Sequence, residues 1–121
     1  MTVKPVLFTM AAVFAAATAS AQQTDPAVAY LAQCKICHSF EAGGRTLVGP
    51  DLHGVFGRKA GTVGAPSPAM RDSGIVWNDA TLAEFLRDPR AVVPGNKMSF
   101  PGIADPAALT ALIARLKQAT Q

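Results

Sequence analysis

The only two cysteines of the chain stand one helical turn apart, in Cys34-Lys35-Ile36-Cys37-His38, and a histidine follows the second directly. Side chains three apart on a helix share a face, so both thiols can bond one rigid, flat group. The C-x-x-C-H order is the pattern of covalent haem attachment. Each thiol adds to one vinyl group of a single porphyrin, and His38 falls under the same macrocycle, where its imidazole can reach the iron.

Other uses of the motif fit less well. A structural zinc site needs four protein ligands and a catalytic one three. Here there are two cysteines and two histidines, and the second histidine, His53, lies in a glycine-rich loop. A thioredoxin-like C-x-x-C needs a βαβ framework, and none is visible. A disulfide closing so small a loop would stabilise little.

The rest of the chain calls for an organiser. Gly43 to Gly64 is rich in glycine, and Pro66 and Pro68 follow. Loops this long are unusual in a compact domain unless something orders them. Three helices can be read. The first begins at Asp25-Pro26, a capping carboxylate followed by proline, and carries Tyr30, Leu31 and Cys34. The second starts near Asn78 or Asp79 and stops before Pro89, with Leu82, Phe85 and Leu86 at i, i+3, i+4. The third starts at Asp105-Pro106 and aligns Leu109, Leu112, Ile113 and Leu116 on one face. No stretch alternates as a strand would. The expected fold is all-α, three main helices with long loops wrapped around one covalently bound haem.

Met1 to Ala21 has the layout of a secretory signal peptide: Lys4, an uncharged apolar run, then Ala19-Ser20-Ala21. Cleavage is expected after Ala21, which leaves residues 22–121 as one domain. Read instead as a membrane anchor, the run is short and rich in Ala and Thr, a poor span. The expected compartment is therefore a bacterial periplasm, with no stable membrane insertion. Ten basic residues then face eight acidic ones, a formal +2 with no basic run, which gives no reason to invoke nucleic acid.

A haem iron held by His38 needs a sixth ligand. Thioether sulfur is soft and raises the reduction potential. Met70 and Met98 remain after leader removal, and His53 is a third candidate. Met98 lies in Val93-Pro94-Gly95-Asn96-Lys97-Met98, where Pro and Gly can project one side chain from a tight loop. Core packing is the commoner role of methionine, so spacing alone puts Met98 only a little ahead of Met70.

Five segments occur in order: CKICH, VGPDLHGVFGRKAG, GIVWNDATLAEFLRDPR, VPGNKMSFPGI and LIARLKQAT. Through them the chain resembles class I cytochrome c, especially the mitochondrial type and its bacterial relatives, over nearly all of Asp25 to Thr120. The resemblance implies the cytochrome c fold, with His38 and Met98 as axial ligands and His53 at a position that is not one. It implies that the Pro50 carbonyl accepts a hydrogen bond from the His38 ring, which fixes the tautomer. It sets Arg58 and Trp77 near a haem propionate, Asn96 in the loop that carries Met98, and Phe100 by the haem edge. Tyr30 and the Leu112–Leu116 face would lie where the first and last helices cross.

The chain also departs from the mitochondrial type. Phe85 stands in place of a tyrosine whose hydroxyl approaches the methionine sulfur. The loop Thr62 to Ala69 is shorter and lacks a tyrosine that would donate to a propionate. Arg115 replaces an aromatic and should weaken the helix crossing or leave that edge exposed. Leu47 and Val48 replace basic rim residues, leaving Arg45, Arg90 and Lys97 as the main cations.

The resemblance thus implies a monomeric electron carrier rather than an enzyme, since two protein ligands leave no open site on the iron. Its partners would be redox proteins, donor and acceptor, of a respiratory chain or dehydrogenase, docking briefly at the haem edge. The runner-up is a dedicated haem subunit of one periplasmic dehydrogenase. A haem enzyme with open iron is the third reading, and the Met98 loop argues against it.

Overall fold

A computed structural model describes residues 1–3 and 25–121. Residues 4–21 of the leader and its junction with Gln22 lie outside the described residues. Five helices occur in chain order among the described residues: α1 (Pro26–Cys37), α2 (Pro68–Asp72), α3 (Asp79–Arg87), α4 (Pro89–Val92) and α5 (Pro106–Ala119). The three expected from the sequence are α1, α3 and α5, and two short ones accompany them.

Four of the five start the same way. A side-chain oxygen caps the first turn, and proline, whose missing N–H costs nothing there, takes the first helical position. Asp25 accepts from the Ala27 N–H at 2.9 Å and Asp105 from that of Ala107 at 3.1 Å. Ser67 accepts from Met70 at 3.1 Å and Asp88 from Ala91 at 3.2 Å. The fifth, α3, opens with a reciprocal box: Asn78 and Thr81 each accept from the other's backbone N–H at 2.9 Å. Asp88 closes α3 and opens α4, because Pro89 cannot continue the first helix.

Helix α5 packs against both α1 and α3, and α3 against α4. The buried face of α5 is the one read from the sequence, Leu109, Leu112, Ile113 and Leu116, and α3 adds Leu82, Phe85 and Leu86. Each such side chain contributes about 1.5–3 kcal/mol when fully buried. Helix α1 differs, for Ala27 is its only buried residue. Tyr30, Leu31 and Cys34 stay half-buried at the margin of the core, so the apolar surface of α1 is only partly used by the protein itself.

Arg115 does lie on an exposed edge of the crossing, but it ties the two helices together. Its Nε and Nη2 donate to Asp25 Oδ2 at 2.7 and 2.5 Å. Lys117 similarly reaches Asp79 on α3 at 2.9 Å.

No strand forms among the described residues; one isolated bridge, Lys59 with Val76, joins two loops. Beside it the Trp77 N–H donates to the Arg58 carbonyl at 2.9 Å and Ala60 to Ile75 at 2.8 Å. Further on, Gly102 lets the chain pass α3 closely. It sits at φ 105°, and a β-carbon there would overlap the Arg87 carbonyl. Ile103 then donates to the Leu86 carbonyl at 2.9 Å, which fixes the segment leading away from Met98.

Candidate haem site

Cys34 and Cys37 occupy the last turn of α1, both half-buried free thiols. Burial pushes the Cys34 thiol above its usual pKa, so it is a neutral thiol at neutral pH. The helix breaks directly after Cys37. His38 turns extended at φ −125° and ψ 137°, while its N–H still caps the helix through the Cys34 carbonyl.

That break delivers the imidazole to Pro50, whose carbonyl oxygen lies 2.7 Å from His38 Nδ1. A carbonyl can only accept, so Nδ1 carries the proton and the Nε2 lone pair is free for a metal. Burial lowers the His38 pKa, and the Pro50 bond partly offsets this. Burial thus keeps the ring neutral and the Pro50 bond holds it in one tautomer, the form that binds metal.

Gly49 makes the arrangement possible, and the sequence reading passed over it. Its N–H donates to the Cys37 carbonyl at 2.8 Å, which draws the chain across the imidazole. A β-carbon on Gly49 would overlap His38 Cε1 and lie 2.8 Å from Nδ1. The only signal in the sequence was a glycine directly before Pro50.

The Met98 loop is folded by one side chain. Asn96 Nδ2 donates to the carbonyls of Pro89 and Val93, both at 2.9 Å, and Asn96 Oδ1 accepts from the Met98 N–H at 2.9 Å. Met98 and Phe100 are half-buried against the core. Phe100 meets Tyr30 edge-on, with ring centres 6.4 Å apart at 89°. Tyr30 lies one turn before Cys34 on α1, so the Met98 loop and the cysteine turn border the same apolar region. Met70, on α2, is also half-buried against the core.

Arg58 and Trp77 are neighbours through their backbone pairing beside the Lys59–Val76 bridge. Arg58 donates to the carbonyl of Asp51 at 2.7 Å and to that of His53. Trp77 is buried with its ring centre 5.1 Å from that of Phe85. The His53 N–H donates to Asp51 at 3.1 Å. Among the described residues no three of His, Cys, Asp and Glu gather as a metal site would require, which leaves the zinc reading without ligands. A cleft of about 400 Å³ between α2, α3 and α4 is lined by none of Cys34, Cys37, His38, Arg58, Trp77 and Met98.

These features suit a flat apolar group with two thioether anchors. Paired thiols face one side of α1, a nitrogen lone pair is aimed from the next residue, and half-buried Tyr30, Leu52, Phe56, Met98 and Phe100 offer unspent apolar surface. Comparison with protein-family models returned no match. Cytochrome c2 of Blastochloris viridis is 42% identical over 114 residues, covering 93% of this chain and 88% of that protein. The chain belongs to the class I cytochromes c. Cytochrome c2 iso-2 of Magnetospirillum fulvum is 51% identical over 86 residues, covering 69% of this chain and 88% of that protein. Cytochrome c of Arabidopsis thaliana is 42% identical over 91 residues, covering 74% and 81%. As a class I cytochrome c the chain is an all-α monohaem electron carrier rather than an enzyme. Its cofactor is one haem c, held through its only cysteines, Cys34 and Cys37.

Proposed function

We propose that residues 22–121, freed of the leader after Ala21, are a monomeric periplasmic carrier whose iron is ligated by His38 and Met98. When bound, the haem supplies an iron that takes up and releases one electron. The protein's part would be to hold the iron through His38 and Met98 and to keep water away. The observation that carries the reading is a pinned imidazole directly after the cysteine turn and a pinned methionine loop bordering the same apolar region as that turn: Pro50 fixes the His38 ring and Asn96 fixes the Met98 backbone. Ligands held this firmly change little on electron transfer. Thioether ligation and the apolar wall both favour the reduced iron. Arg58 has five N–H donors and uses two on carbonyls, so it and the nearby Trp77 ring N–H are assigned to a propionate. Phe85 brings no hydroxyl toward the sulfur, and the ligand lacks that hydrogen bond.

The carrier serves redox proteins of a respiratory chain or a dehydrogenase. Exposed Leu47 and Val48 support a second reading, a carrier dedicated to one periplasmic dehydrogenase.

Carbon monoxide tests the ligand set. It must displace the sulfur before it can bind, so the reduced wild type is expected to bind it poorly at neutral pH. The oxidised wild type should show the weak far-red charge-transfer band of sulfur–iron ligation. Met98→Ala should lose that band, bind carbon monoxide readily and have a lower potential, while Met70→Ala should do none of these. Rapid carbon monoxide binding by a high-spin wild type would falsify the reading.

A further inference from the structure

The cleft of about 400 Å³ between α2, α3 and α4 is not part of the haem site, yet part of its lining belongs to the Met98 loop. Its size falls in the range of small-molecule sites, about 300–1,000 Å³. The apolar lining is Ala69 and Ile75 together with Val92, Val93 and Pro94. Val93 is the residue whose carbonyl accepts from the Asn96 side chain at 2.9 Å. Ala69 stands 3.3 Å from where a β-carbon on Gly95 would lie. Whatever fills the cleft therefore leans on the segment that leads into Met98.

The polar side chains of the lining can only accept. They are Asp72, Ser73, Thr81 and Glu84. Both hydroxyls have spent their protons: Ser73 Oγ donates to the Met70 carbonyl and Thr81 Oγ1 to the Val76 carbonyl, each at 2.8 Å. Asp72 and Glu84 are exposed carboxylates, and neither joins an ion pair among the described residues. Arg71, Arg87 and Arg90 belong to the same three helices, but none of them lines the cleft. An anion would find no side-chain donor here, and calcium would lack most of the roughly six to eight oxygen ligands it takes. A cation with an aliphatic body matches the whole lining, its ammonium the carboxylates and its methylenes the apolar wall.

We propose that the cleft binds a small primary alkylammonium ion and that the bound ion braces the Met98 loop. The bracing rests on Met98 as the axial ligand; the binding does not. A ligand that fits the packed loop better than the displaced one shifts the loop toward the packed state by the ratio of the two affinities. The coupling is reciprocal, so anything that takes the place of Met98 weakens the hold on the amine by the same factor. Occupancy of the cleft thus sets how readily the iron opens to outside ligands. Exposed carboxylates are screened, so salt weakens the binding while the preference for longer aliphatic chains remains.

The test titrates n-butylammonium into nitrogen-15-labelled, reduced holo-protein and follows amide resonances. Saturable shifts are expected at Ser73, Glu84 and Val93, and affinity should rise about fourfold for each methylene added from ethylammonium to butylammonium. Asp72→Asn/Glu84→Gln should weaken binding about tenfold. Saturating butylammonium should also make imidazole compete severalfold less well for the Met98 position in the oxidised wild type, and leave that competition unchanged in the double variant. Amide shifts read occupancy whichever group ligates the iron, so they stand or fall separately from the Met98 reading. Shifts that never saturate, an equal response to uncharged n-butanol, an unchanged double variant, or imidazole competition indifferent to the amine in the wild type would each overturn the proposal. A capped lysine peptide that binds more tightly than butylammonium would also overturn it, by making a partner protein's side chain the occupant.

Discussion

Gly49 has no side chain because the His38 ring occupies the space where one would go. The ring cannot swing aside without losing its bond to Pro50. Gly49→Ala is therefore expected to lower the yield of haem-loaded protein and to cost about 1–3 kcal/mol in stability, as overpacking does; thermal unfolding of the purified holo-protein measures it. Asn96 is the corresponding residue on the other side of the site. Asn96→Ala deletes three side-chain hydrogen bonds, each worth about 0.5–1.5 kcal/mol. Imidazole added to the oxidised protein should then compete for the Met98 position at least about tenfold better, by optical titration. Both effects arise from single residues whose packing is local. Sequence reading found Asn96 only as a member of a loop and passed over Gly49, because neither role shows as a residue pattern: Asn96 bonds backbone groups of its own loop, and Gly49 is shaped by a ring on another segment.

At the scale of elements, the α1–α5 crossing joins the two ends of the described domain. Arg115 beside Asp25 holds that carboxyl below its usual range, helped by the Ala27 N–H. A lowered folded-state value means that the stabilisation is fully present above the ordinary carboxylate pKa and is lost as pH falls through the lowered one. Arg115→Gln should accordingly melt slightly lower than the wild type at neutral pH, and the two melting curves should converge in strong acid. The difference is expected to be small, because exposed pairs are screened. A gap that stays constant down to strong acid would remove Asp25 from the account. The helices themselves were well marked in the sequence. Asp25-Pro26 and Asp105-Pro106 located α1 and α5, and Pro89 ended α3. The same capping-residue–proline start at Ser67-Pro68 and Asp88-Pro89 announced α2 and α4. They went unread because helices of five and four residues carry too few positions for an apolar period. Arg115 illustrates the opposite limit. As a substituted aromatic it suggested a weaker crossing, and its partner ninety residues away could not be read from its neighbourhood.

For the whole molecule, the burial pattern says where stability resides. Helices α3 and α5 bury most of their apolar residues, whereas α1 buries only Ala27 and the long loops lean on half-buried side chains. The chain made without haem-attachment machinery should therefore lose much of its helical circular dichroism and show no cooperative melt, in contrast to the holo-protein. A sharp calorimetric transition in the apo-protein would mean that the α3–α5 core suffices alone. The pairing of the first helix with the last also governs timing. While the chain is being made, α1 emerges early and its main partner, α5, last. Until residue 109 and beyond have appeared, the main helix partner of α1 is missing, and closing so long a loop is slow compared with forming a helix. The turn that carries the two thiols thus gains its main helical cover only when the last helix is complete.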